Sequence, residues 1–159
     1  MSFDDWVLAL HVLSAFAFIG GIVLFWVLIV AGRGIDTPAD TIRMEPIARV
    51  GNIAVGIGAG GTLILGIWLA LSYGGYDLWD GWIIAAIVLW VATAAVGSRT
   101  GAEYMKPLQK ARDLSAAGQT GSNAELLALN RTQRGVVLHA VTSLLVLLIV
   151  LDMIWKPGA

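Results

Sequence analysis

Four stretches of this chain are too long and too apolar to belong to anything but a membrane protein. A helix that crosses the hydrocarbon core needs about 20 mostly apolar residues. Trp6 to Ala31 supplies them, as do Val50 to Leu71, Gly81 to Gly97 and Gly135 to Leu151. The last three contain no Asp, Glu, Lys or Arg. Each stretch is apolar around its whole circumference, as a helix facing lipid must be. Composition agrees: 58% of the 159 residues are hydrophobic and 13% are charged. A water-soluble domain of this size leaves roughly a third of its surface exposed and could not hide so much apolar area. The sequence therefore predicts an all-α four-helix transmembrane bundle forming one domain over residues 1–159, embedded in a lipid bilayer.

The ends and connections carry their own signals. Ser2 and Asp5 have capping-box spacing, so helix one should start at once and remain as an anchor rather than a cleaved leader. Thr37 with Pro38 marks a helix start, Pro46 opens span two, and Asp80 is placed to cap span three. A cytoplasmic helical hairpin is expected over about 99–134, with Pro107 inside its first arm and a turn at 116–121. Ser122 and Glu125 form a second capping box, so helix four should begin near 123 and run unbroken past 150.

Charge sets the orientation. Arg33, Arg43, Arg49, Arg99, Lys106, Lys110, Arg112, Arg131 and Arg134 fall on one side of the spans, and Lys156 alone on the other. The basic side is the cytoplasmic one by the positive-inside rule, with both termini outside. Trp6, Tyr73, Tyr76, Trp79, Trp82 and Trp155 fall at the opposite ends, where an interfacial aromatic belt is expected. Trp26, Trp68 and Trp90 lie deeper, in packing or pocket positions. The net charge of −1 gives no reason to expect nucleic acid. The absence of cysteine removes disulfides, iron–sulfur clusters and thiolate chemistry.

Ionisable groups inside a membrane are functional candidates by default. Here they are His11 and His139, the only two histidines. Around them stand the hydroxyls of Ser14, Thr62, Thr93, Thr142 and Ser143. Ser14 is spaced to satisfy His11, and Thr142 or Ser143 to satisfy His139. No carboxylate lies at mid-membrane, which speaks against a pump or ion channel. The histidines differ in depth by on the order of 15 Å, so they cannot clamp one haem within a protomer. His11 with Met153 would make a soft site suited to haem iron or Cu(I), if spans one and four are neighbours. Gly56 with Gly60, and Gly97 with Gly101, have the four-residue spacing that lets helices approach closely. They are expected to serve helix packing, and a homo-oligomer or a membrane-complex partner would use the same contacts.

The run Leu10-His11-Val12-Leu13 followed by Phe16 to Gly20-Gly21 resembles the first helix of several small bacterial membrane families. These are HemJ-type protoporphyrinogen oxidases, CopD-type copper-resistance proteins and a four-span family of unassigned function. The overall layout, including Pro107 and Lys110 after span three, is most similar to the last. The resemblance implies a bacterial cytoplasmic membrane and a haem b, porphyrin or copper association, with His11 as the ligand. The oxidases also use a lysine in a later span, and this chain has none within any span. Three functions follow: an accessory or scaffold protein without strong catalytic machinery, a haem- or porphyrin-associated protein using His11 (with His139 and Met153 as further cofactor contacts), and a small oligomeric transporter.

Overall fold

The helices begin where the sequence supplies caps. The computed structural model describes residues 2–72 and 76–157. Helix α1 spans Phe3–Gly32, with Ser2 and Asp5 forming the expected capping box. Helix α2 is the short Pro38–Arg43, capped by Thr37 with Pro38 at its first position. Helix α3 covers Glu45–Ser72, α4 Gly81–Ala116, α5 Ala124–Asn130 and α6 Gln133–Trp155. Among the described residues every regular element is a helix. Four segments are long and apolar enough to cross a membrane. The all-α, four-span reading therefore holds.

Three local expectations are revised. The chain does not run unbroken from 123 past 150. It breaks at Arg131, and Thr132 restarts α6 by accepting from the Gly135 N–H. The break is tied to the end of α1: Arg131 Nε donates to the Arg33 carbonyl at 2.8 Å and Asn130 Nδ2 to the Ile35 carbonyl at 2.9 Å. The cap of α5 is Asn123, whose side chain accepts from Leu126 N–H, rather than Ser122. Asp80 stands at the N-cap of α4, but its carboxylate accepts from the Asp77 N–H instead of from the helix.

The bundle consists of two helix pairs. Helix α1 lies along α3 and α4 along α6, while contacts between the pairs are far sparser. The α1–α3 seam depends on glycine. A Cβ on Gly21 would lie 2.6 Å from the Val55 side chain, one on Gly58 would strike the Phe18 backbone, and one on Gly61 would strike Ser14. Without a hydrophobic force between helices in lipid, such backbone approach supplies the packing. Phe18, Ile22 and Val146 then make a small apolar centre where α1 meets α6.

On the basic side, the end of α4 folds against α2 and α5. Ala111, Leu114 and Leu126 form its core, with Ile42 packed on it. Asn123 N–H donates to the Asp36 carbonyl at 2.8 Å, and Arg112 reaches Glu45 at 2.8 Å. These contacts form a cap that joins the two pairs outside the apolar stretches. At the opposite end Ala70, Trp82 and Ile83 cluster with Tyr76 and Met153. Trp82 is thus buried packing rather than belt, because Tyr76 meets its ring edge-on and Lys156 sits 5.2 Å over it. Trp6, Trp79 and Trp155 remain exposed as an interfacial belt requires. Tyr73, assigned to the same belt, lies outside the described residues.

Candidate functional site

The sparse contact between the pairs leaves a crevice of about 200 Å³. All four long helices line it. Helix α1 contributes Phe18, Ile22 and Phe25, and α3 contributes Asn52, Val55 and Ala59. Helix α4 brings Trp90, Thr93, Ala94, Gly97, Ser98, Thr100, Gly101 and Tyr104, and α6 brings His139 and Thr142. Among the described residues no Asp, Glu, Lys or Arg lines the crevice. Asn52, Ala94, Ser98 and Gly101 are exposed, and they mark a mouth between α3 and α4.

His139 is the most enclosed polar residue there, only 2% exposed. Its Nε2 lies 3.1 Å from the Ile22 carbonyl. A carbonyl only accepts, so Nε2 carries the proton and the lone pair of the neutral ring is on Nδ1. Phe25, Trp26 and Tyr104 surround the imidazole edge-on at 4.9–6.4 Å. The neighbouring hydroxyls do not satisfy it, contrary to expectation. Thr142 donates to the Leu138 carbonyl and Ser143 to the His139 carbonyl, each one helical turn back. In an apolar slab the nearest acceptor for a helical hydroxyl is that i−4 carbonyl. Ser14 behaves alike, donating to Leu10 rather than to His11.

The other polar groups divide into satisfied and unsatisfied. Trp26 Nε1 donates to Ser143 at 3.0 Å and Trp90 Nε1 to the Ala59 carbonyl at 3.1 Å. The Thr100 and Thr142 hydroxyls meet at 3.4 Å. The Tyr104 hydroxyl is buried without a partner, which is costly in an apolar site unless something else meets it. Asn52 and Tyr104 were not singled out from the sequence. Asn52 is the one amide inside an apolar span, which was the available signal. Tyr104 gave none, because it enters the crevice from a part of α4 beyond the third apolar stretch.

The remaining sequence candidates are dispersed. His11 lies against Gly66 of α3, with Nδ1 buried and unpartnered. Met153 packs instead with Ala70, Trp82 and Ile83. His139 sits 11 residues deeper along the α1 register than His11, through its contact with Ile22, or about 16 Å. Gly56 and Gly60 face open space, as does Gly101. A Cβ on Gly97 would just touch Thr142 at 4.0 Å. The tight α1–α3 approach uses Gly21, Gly58 and Gly61, and Gly56 is two residues, about 200° of helix, away from Gly58. At His139 space, and not the donor set, argues against a haem: Nδ1 keeps its lone pair, but about 200 Å³ is below the roughly 300–1,000 Å³ of sites that enclose a whole small molecule.

Comparison with known proteins adds one match. No curated protein and no solved structure matches the chain. A family model described as "Predicted integral membrane protein (DUF2269)" matches residues 5–157, nearly the whole length. The chain belongs to that family of integral membrane proteins.

Proposed function

We propose that this protein is an accessory membrane protein without catalytic machinery of its own, and that it works by holding the slender apolar part of an amphipathic molecule, such as an acyl chain, in the crevice between its helix pairs, which at about 200 Å³ does not enclose a whole drug-sized ligand. The crevice carries this reading. Its wall is aromatic and aliphatic, with a few polar groups at one end, the usual build of a site that binds by shape and orients by hydrogen bond. The unpartnered Tyr104 hydroxyl and the exposed Asn52 amide are the groups left to orient a guest. The chemistry of the wall favours binding over turnover. Among the described residues no Asp, Glu, Lys or Arg lines the crevice, so His139 has no charged partner with which to share acid–base work.

The test is native mass spectrometry of the protein extracted in mild detergent. A bound lipophilic molecule should accompany the wild type and be lost from Gly101→Leu, which fills the crevice from a position where a Cβ meets nothing within 4 Å. Equal adducts in both proteins would overturn the reading.

A second reading attaches to the opposite end of the bundle, where His11 packs against Gly66 with its Nδ1 buried and lacking a hydrogen-bond partner at 3.5 Å or less. A haem there would add electron transfer. Haem added to the purified protein should then give a Soret band that His11→Ala lacks; a protein that stays colourless eliminates this reading.

A further inference from the structure

The basic residues on the capped side fall into two groups. Arg43, Arg49, Lys106, Lys110, Arg112 and Arg134 each face a carboxylate. Among the described residues Arg33, Arg99 and Arg131 have no carboxylate at ion-pair distance. Two of those three converge. Arg33 and Arg131 line one surface pocket of about 440 Å³ with Gly34 and Gln133. Arg131 Nε donates to the Arg33 carbonyl at 2.8 Å, which fixes the guanidinium and leaves both terminal nitrogens free to donate.

Position adds to charge. Arg33 is the C-cap of α1, two residues beyond the apolar stretch Trp6–Ala31. Gln133 is the first residue of α6, two before the stretch Gly135–Leu151. The pocket therefore lies at headgroup depth, at the level where two spans enter lipid. Two arginines without an ion-pair partner among the described residues line the pocket, and an anion bound there would neutralise their charge. A planar donor fork suits the paired oxygens of a phosphate. Gln133 adds an amide donor.

We propose that Arg33 and Arg131 bind the phosphate of an anionic phospholipid headgroup in the leaflet that the basic side faces. This site is separate from the crevice and does not depend on its contents. Free phosphate shares the chemistry but lacks the acyl chains that would hold it at this depth.

The experiment is native mass spectrometry of the purified full chain titrated with phosphatidylglycerol, phosphatidylcholine or inorganic phosphate. Phosphatidylglycerol should be retained in preference to phosphatidylcholine. The double variant Arg33→Gln/Arg131→Gln should retain it about thirty-fold less well. Arg43→Gln/Arg49→Gln removes the same charge from paired arginines and should retain it as the wild type does. Gln133→Glu leaves both arginines in place and puts a carboxylate beside them; it should weaken retention as well, and it covers the case in which the double variant misfolds. Equal retention by wild type and by either pocket variant overturns the proposal. Displacement of phosphatidylglycerol by an equal concentration of inorganic phosphate overturns the lipid assignment.

Discussion

Gly58 and Tyr104 show how differently single residues behave at this packing density. A Cβ on Gly58 would meet Phe18 backbone atoms, which cannot rotate aside. Gly58→Ala should therefore destabilise the protein by roughly 1–3 kcal/mol, read as earlier thermal unfolding in detergent. Gly56→Ala meets nothing and should be neutral or slightly stabilising, since alanine favours helix over glycine by up to about 1 kcal/mol. Tyr104→Phe removes a buried hydroxyl that has no partner. Its unfolding should be unchanged or slightly later, while loss of a crevice-bound molecule would show that the hydroxyl serves the guest. The sequence made His139 conspicuous as a polar residue in a span. Its partner, the Ile22 carbonyl 117 residues away, was invisible, because a backbone acceptor leaves no residue-type signature.

Elements were legible where capping governs them. Ser2 with Asp5, and Thr37 with Pro38, start helices as their spacing demands. The break between α5 and α6 was hidden, because Asn130 and Arg131 stop the helix through contacts with the α1–α2 connection, distant in sequence. The cap formed by α2, α5 and the end of α4 was hidden for the same reason. Its core residue Leu126 is fully buried, so Leu126→Ala should cost about 2–5 kcal/mol and speed proteolysis of the 117–123 connection. Acid should loosen the cap too. The Arg112 guanidinium hydrogen-bonded to Glu45 holds that carboxyl below its ordinary value, with Arg49 assisting. A depressed carboxyl pKa contributes stability above the unfolded value, and that contribution is lost as pH falls through the folded one. Glu45→Gln should remove this part of the pH dependence of unfolding. On α3, Gly60→Leu breaks no contact within the chain. Any change it causes in cross-linked species therefore reports a second chain against that face.

At the scale of the whole molecule, the four spans were plain from hydropathy, while their pairing was not. Apolar side chains alone do not say which helices touch; the glycines that a Cβ would fill do, and only once the register is known. The orientation inferred from basic residues is open to direct labelling, because the chain has no cysteine of its own. A cysteine placed at Ser122 should react with an impermeant maleimide only after the cytoplasmic face is opened, and one at Trp79, 86% exposed, should react from outside. The reverse pattern would invert every depth assigned above. The mouth at Asn52, Ala94, Ser98 and Gly101 has a consequence for any guest. A molecule entering there from the leaflet need never cross bulk water, so its supply is a two-dimensional search. Occupancy would then follow the guest's mole fraction among the surrounding lipids, and diluting the suspension with buffer would leave it unchanged.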